Sequence, residues 1–229
     1  MVNDFIITLE LVFHENENRN RAIKMEAYLK NKFPMFGIHA PLRDEICATF
    51  LLNTHRPTKA ELSDIVKSLW LQPEREYHYF AQILVSKYVK QFSKPDIHLL
   101  EFMALNNSWW DTIDYIATKL MAAYFKLYPE QINPITRAWM DSGNIWLQRS
   151  CLLFQLKYKL ALDTNLLSQY IAELKNSKEF FIKKAIGWVL REYSKTNSLW
   201  VINFVKNNQL APLSQREAMK FIAASIEKY

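Results

Sequence analysis

The chain has 229 residues, half of them apolar, which is enough to bury a substantial core and excludes an extended disordered polymer. Its three glycines and eight prolines leave little material for the tight turns of many short strands, so an all-α protein is expected. The net charge of +6 is unevenly placed, with 13 Lys and Arg against 15 Asp and Glu in residues 1–114, and 16 against 8 in residues 115–229.

Apolar spacing predicts helices over residues 4–14 and 20–31, followed by a loop that holds Pro34 and Gly37. Pro41, Pro57, Pro73 and Pro95 then open helices at 42–52, 58–70, 74–90 and 96–105, proline being the expected punctuation of a first turn. Further helices follow at 109–127, 129–140, 144–160, 163–175, 177–194, 197–207 and 212–228, with no strand among them. The N-terminus carries Asp4 and Glu10 around a short apolar run without a basic leader, so no signal peptide is expected. No apolar stretch reaches membrane-spanning length, and no membrane partner is expected. Cys47 and Cys151 are too few for a disulfide framework and fit no zinc spacing, which points to a reducing cytoplasm. The histidines at 14, 39, 55, 78 and 98 form no metal pattern, and neither a Gly-rich phosphate loop nor a nucleophile elbow occurs. Neither a metal nor another cofactor is therefore expected. The basic C-terminal half fits a polyanionic partner, nucleic acid before membrane, or a face that is merely solvated.

The stretch from Ser108 to Asp114 combines two tryptophans and two carboxylates at a helix start. Ser108 and Asp111 have the spacing of a capping box. Trp110 precedes Asp114 by four residues, so the indole and the carboxylate share one helix side, a suitable receptor for a cationic group. The same residues also fit core tryptophans beside a solvated carboxylate. Trp188, within Ile186-Gly187-Trp188-Val189-Leu190, likewise fits an ordinary core stripe. Gly187 argues for more, because a glycine inside a helix costs about 1 kcal/mol relative to alanine and suggests that another backbone, ring or ligand comes close.

Tyr88, Tyr124, Tyr158 and Tyr193 fall late in four predicted helices, 36, 34 and 35 residues apart. A period near 35 in helix pairs marks an α-solenoid, in which each pair buries its apolar stripe on its neighbours. Asp114 lies ten residues before Tyr124, Arg149 nine before Tyr158 and Lys184 nine before Tyr193, which puts these three at similar height in successive repeats.

The segments SWWDxxD, DxxNIWLQR, LFQLKYK and SKEFFIxKAIGWVLREYxKTN, followed by LAPLSxRE, resemble the AlkD family of bacterial DNA alkylation repair glycosylases. Ala27-Tyr28, Phe36-Gly37-Ile38 with Pro41, and Pro73-Glu74-Arg75-Glu76 extend the resemblance over nearly the whole chain. It implies one domain over residues 1–229, built of HEAT-like helical repeats that form a curved shell with a basic concave face. It also implies a monomer that acts on duplex DNA in the bacterial cytoplasm, at the nucleoid. The implied activity is hydrolysis of the N-glycosidic bond of cationic N3-alkyladenine and N7-alkylguanine by a monofunctional glycosylase, with the base left in the stack. Carried onto matching positions, Trp110, Asp114 and Trp188 form the catalytic group, with Tyr28 and Arg149 as nearby DNA contacts. Lys157, Lys184 and Arg191 are further candidate DNA contacts. His39 departs from the family pattern, which has a glutamine in the loop beside Pro41. The alternative is a non-catalytic helical-repeat scaffold or a DNA-lesion-binding protein, since fold alone does not decide activity. The joint presence of Trp110, Asp114, Arg149 and Trp188 speaks for the enzyme.

Overall fold

A computed structural model describes residues 2–52 and 56–226, all helix, turn and loop among those residues, with no strand. His55 and Lys228, which the sequence reading includes, lie outside them. The helices are α1 Val2–Glu15, α2 Arg19–Tyr28, α3 Ala40–Phe50, α4 Leu62–Trp70, α5 Arg75–Ser86 and α6 Ile97–Leu105. They continue with α7 Trp110–Tyr115, α8 Ala122–Leu127, α9 Ile132–Asp141, α10 Ile145–Leu153, α11 Thr164–Leu174, α12 Phe180–Ser194, α13 Ser198–Asn207 and α14 Pro212–Ile226. This is the all-α, helical-repeat class that the period predicts.

Two compact units divide the chain, Met1–Asn107 and Ser108–Tyr229. In the first, Phe13 packs ring on ring with Phe36, Tyr77 and Phe80, and Ile65, Leu69 and Leu84 are buried in the same unit. The loop after α2 is pinned from inside this core. Glu76 is fully buried, and its carboxylate accepts the backbone N–H groups of Phe36 at 3.2 Å, Gly37 at 2.9 Å and Ile38 at 3.1 Å. Three donors replace the water the carboxylate gives up. Gly37 has φ +83°, and a Cβ there would stand 2.2 Å from the Asn18 carbonyl oxygen, so only glycine fits. The neighbouring Arg75 is also fully buried, donating to the Asn107 carbonyl at 2.7 Å and lying 3.9 Å from the Phe33 ring.

The second unit shows the repeat as hydrogen bonds. The Tyr158 hydroxyl donates to the Ala122 carbonyl at 2.7 Å, 36 residues away, and Tyr170 donates to Thr136 at 2.6 Å, 34 residues away. Arg137 and Glu173 pair across 36 residues, Lys157 and Glu192 across 35, and Arg149 and Asp114 across 35. Each joins the same level of adjacent helix pairs.

Several predicted ends move, each for a local reason. The helix predicted from 58 begins at Leu62, because Glu61 accepts both the N–H and the hydroxyl of Thr58 and closes a separate turn. The helix predicted over 144–160 stops at Leu153. Buried Gln155 there accepts the Asp163 N–H at 2.8 Å, and Lys159 turns to φ +54°. Tyr88 and Tyr158 therefore follow their helices instead of falling inside them. The helix expected from a Ser108 cap starts one residue later than predicted. Trp109 occupies the cap position, extended at φ −154° and ψ 161°, without a side-chain cap. The predicted 109–127 helix is interrupted by a π-helical segment, Ile116–Met121, between Asp114 and Tyr124.

Both cysteines are free and buried, and burial pushes the Cys47 thiol up to about 12 and the Cys151 thiol upward as well. No group of three or more potential metal-ligating side chains occurs among the described residues. No described helix is long and apolar enough to cross a membrane.

Candidate active site

A cavity of about 300 Å³ opens within the second unit, lined by Trp110, Asp114, Arg149, Phe180, Phe181, Lys184, Trp188, Arg191 and Glu217. Six of the eight site residues read from the sequence meet here. The short helix α7 supplies Trp110 and Asp114, four residues apart and on one side. Arg149 comes from α10, and α12 supplies Lys184, Trp188 and Arg191 at spacings of four and three, again one face.

Asp114 and Arg149 form a two-pronged ion pair, Nε to Oδ1 at 2.8 Å and Nη2 to Oδ2 at 3.0 Å. The remaining prong of the guanidinium, Nη1, donates to the Phe181 carbonyl. Only 5% of the Arg149 side chain is exposed, against 19% for Asp114. The guanidinium faces the carboxylate and the Phe181 carbonyl at the wall of the cavity. Burial pushes the Asp114 carboxyl above its ordinary range, Asp111 adds slightly to the rise, and the Arg149 charge and hydrogen bonds pull it back. The Asp114 carbonyl also accepts the Thr118 hydroxyl at 2.6 Å, inside the π segment.

Behind the cavity, Trp109, Trp146 and Phe181 pack with ring centroids 5.1–5.7 Å apart and fix the chain on either side of Trp110 and Phe180. Trp110 and Trp188 remain partly exposed towards the cavity, and Phe180 is 56% exposed. Partly exposed aromatic faces beside a carboxylate suit a cationic, flat ligand.

Tyr28 and Lys157 are not among the residues that line this cavity. Tyr28, the last residue of α2 and exposed, belongs to the first unit. Lys157 lines a separate cavity with Lys159 and Lys195 and is paired with Glu192 at 2.7 Å. In the first unit, the departing His39 caps the start of α3 by position, with Arg21 3.2 Å from its Nδ1.

The sequence reading did not single out Phe180, Phe181 or Glu217. The two phenylalanines stand inside the SKEFFI run, where the adjacent Trp188 signal drew attention away from them. Glu217 closes the LAPLSxRE run and reaches the cavity from α14, beyond an intervening helix, so no spacing rule connects it to Lys184 or Arg191. Gly187 was the available signal. A Cβ there would lie 2.5 Å from Glu217 Cβ, which identifies the close neighbour that its sequence suggests as α14.

A family model described as DNA alkylation repair enzyme matches residues 9–222. Among solved structures, a predicted DNA alkylation repair enzyme from Enterococcus faecalis is 34% identical, over 91% of this chain and 97% of its own, with a TM-score of 0.85. No curated protein matches.

Proposed function

The chain belongs to the family of DNA alkylation repair enzymes, and we propose that within it the protein is a monofunctional glycosylase of the AlkD type. Its substrates on this reading are cationic N3-alkyladenine and N7-alkylguanine in duplex DNA. The observation that carries the reading is the Asp114 carboxylate, held by both prongs of a buried arginine in a cavity walled by Trp110 and Trp188.

An alkylated purine with a positive charge leaves as a neutral base, so its departure needs no strong general acid. The charge that has to be stabilised develops on the deoxyribose, which becomes oxocarbenium-like as the bond breaks. Asp114 stabilises that charge and orients or deprotonates the attacking water. A glycoside hydrolase ordinarily needs a second carboxyl to protonate its leaving group; here one carboxylate suffices for the chemistry. Arg149 holds Asp114 in position. The indole faces of Trp110 and Trp188 attract the cationic nucleotide, each contributing about 0.5–2 kcal/mol. Lys184 and Arg191, both partly exposed, contact the flanking phosphates. Tyr28 and Lys157 would contact the same duplex.

On this reading the lesion is approached through its sugar and backbone while the base stays stacked, so charge selects more than base shape does. A complex with the base extruded into a protein pocket would refute that part. The test of the whole is chromatographic detection of free base from methylated duplex DNA. Wild type releases 7-methylguanine or 3-methyladenine, while Asp114→Asn, which can still hydrogen-bond to Arg149, loses roughly 10²- to 10³-fold or more in rate and still binds DNA. Binding by both proteins with release by neither would make the chain a lesion sensor instead.

A further inference from the structure

Lys184 and Arg191 lie seven residues apart on α12, which places them two turns apart on one face, with Gly187 between them on the same face. The missing side chain at Gly187 admits α14. A Cβ at that position would stand 2.9 Å from the Ser214 carbonyl oxygen and 2.5 Å from Glu217 Cβ. The Ser214 hydroxyl donates to the Lys183 carbonyl at 2.8 Å and fixes α14 in this seat. From there Glu217 reaches both cations, Oε1 lying 3.1 Å from Lys184 Nζ and Oε2 accepting from Arg191 Nη1 at 2.8 Å.

The three side chains are buried to different depths. Glu217 is 14% exposed, Lys184 37% and Arg191 29%. The carboxylate thus sits behind the two cations. Burial works against its ionisation, but the Lys184 hydrogen bond and the charges of Lys184, Arg191 and Lys220 outweigh this and hold it below the ordinary carboxylate range. Long flexible cations normally lose conformational freedom when they bind an anion, and a fixed counter-ion removes that loss beforehand.

We propose that Glu217 is a positioning residue: seated where Gly187 leaves room, it fixes the charged ends of Lys184 and Arg191 as a two-point contact for the phosphates beside the lesion, and offsets part of their charge so that undamaged duplex is held weakly. This rests on the glycosylase reading above, and it predicts a split between affinity and rate that a purely structural residue would not produce.

The experiment compares wild type with Glu217→Gln in two assays: binding to undamaged duplex across a salt series, and single-turnover release of 7-methylguanine at saturating enzyme. The variant is expected to bind undamaged duplex about 3- to 10-fold more tightly at low salt, the gain fading as salt rises. Its release rate falls about tenfold because the contact points are no longer fixed. Parallel loss of affinity and rate, or an unchanged rate, overturns the proposal. If Gln does not fold there, Glu217→Asp keeps the charge and shortens the reach. It is expected to leave the affinity for undamaged duplex unchanged and to lower the rate; an unchanged rate again overturns the proposal. If wild type itself releases no base, the glycosylase reading fails and takes this inference with it. If wild type releases base and the variants match it, only the inference fails.

Discussion

Arg149 and Arg137 make the same kind of bond in very different places. Each forks onto a carboxylate one repeat away, Arg149 onto Asp114 across 35 residues and Arg137 onto Glu173 across 36, with Asp141 as a second partner. The Arg137 group is open to water, with side chains 51%, 42% and 64% exposed. The Arg149 pair is almost closed off, at 5% and 19%. Water screens the first, and exposed pairs of this kind contribute little to stability. In the second, low local polarity strengthens every interaction the carboxylate makes, including any with an incoming cation, and it also makes the loss of either partner costly. The same repeat contact is a replaceable strut on the surface and, when buried, part of the wall of a cavity.

Arg149→Met should break this contrast most visibly. It leaves Asp114 buried without its partner, so a loss of about 3–5 kcal/mol is expected in chemical denaturation. Without the opposing pull of Arg149, the Asp114 carboxyl rises further above its ordinary range. On the proposed reading base release needs the ionised form, so as pH falls the variant should lose activity at a higher pH than wild type, and a pH–rate profile measures the displacement. Coincident acid limbs would count against the coupling.

An intermediate effect is expected at the partly buried Glu217 bridge. Gly187→Ala gains about 1 kcal/mol in helix propensity but forces a methyl against the Ser214 backbone, where overpacking costs about 1–3 kcal/mol. A net destabilisation of up to about 2 kcal/mol should appear in a urea titration; a stabilised variant would mean that α14 shifts freely. The smallest effect is expected at the exposed strut. Arg137→Met should move the melting temperature by no more than about two degrees and leave base release unchanged. A large drop would show that exposure is a poor guide to which repeat contacts matter.

The helices were legible because apolar spacing and proline positions are local signals, and their order follows the 35-residue period. Their ends were less legible. Glu61 turning back on Thr58 and Gln155 capturing Asp163 are decided by side-chain hydrogen bonds that spacing does not encode. In the site, the tyrosine offset placed Asp114, Arg149 and Lys184 at one level, and all three line one cavity. It said nothing about which way the Arg149 guanidinium points, so the two-pronged pair with Asp114 was not legible. Glu217 was hidden for a different reason: its partners lie 26 and 33 residues back, on the far side of α13, outside the repeat that organises the others.

The tyrosine offset itself contains an irregularity, ten residues from Asp114 to Tyr124 where the other two intervals are nine. In an unbroken α-helix one additional residue rotates everything after it by about 100°, which would turn either Asp114 from the cavity or Tyr124 from the core. The wide turn at Ile116–Met121 lies inside that interval and absorbs the surplus residue. The segment works like a slip joint between two shafts. The cavity end and the packing end of one continuous rod each keep their own angular phase, so the length of the rod can change by a residue without either end losing its bearing.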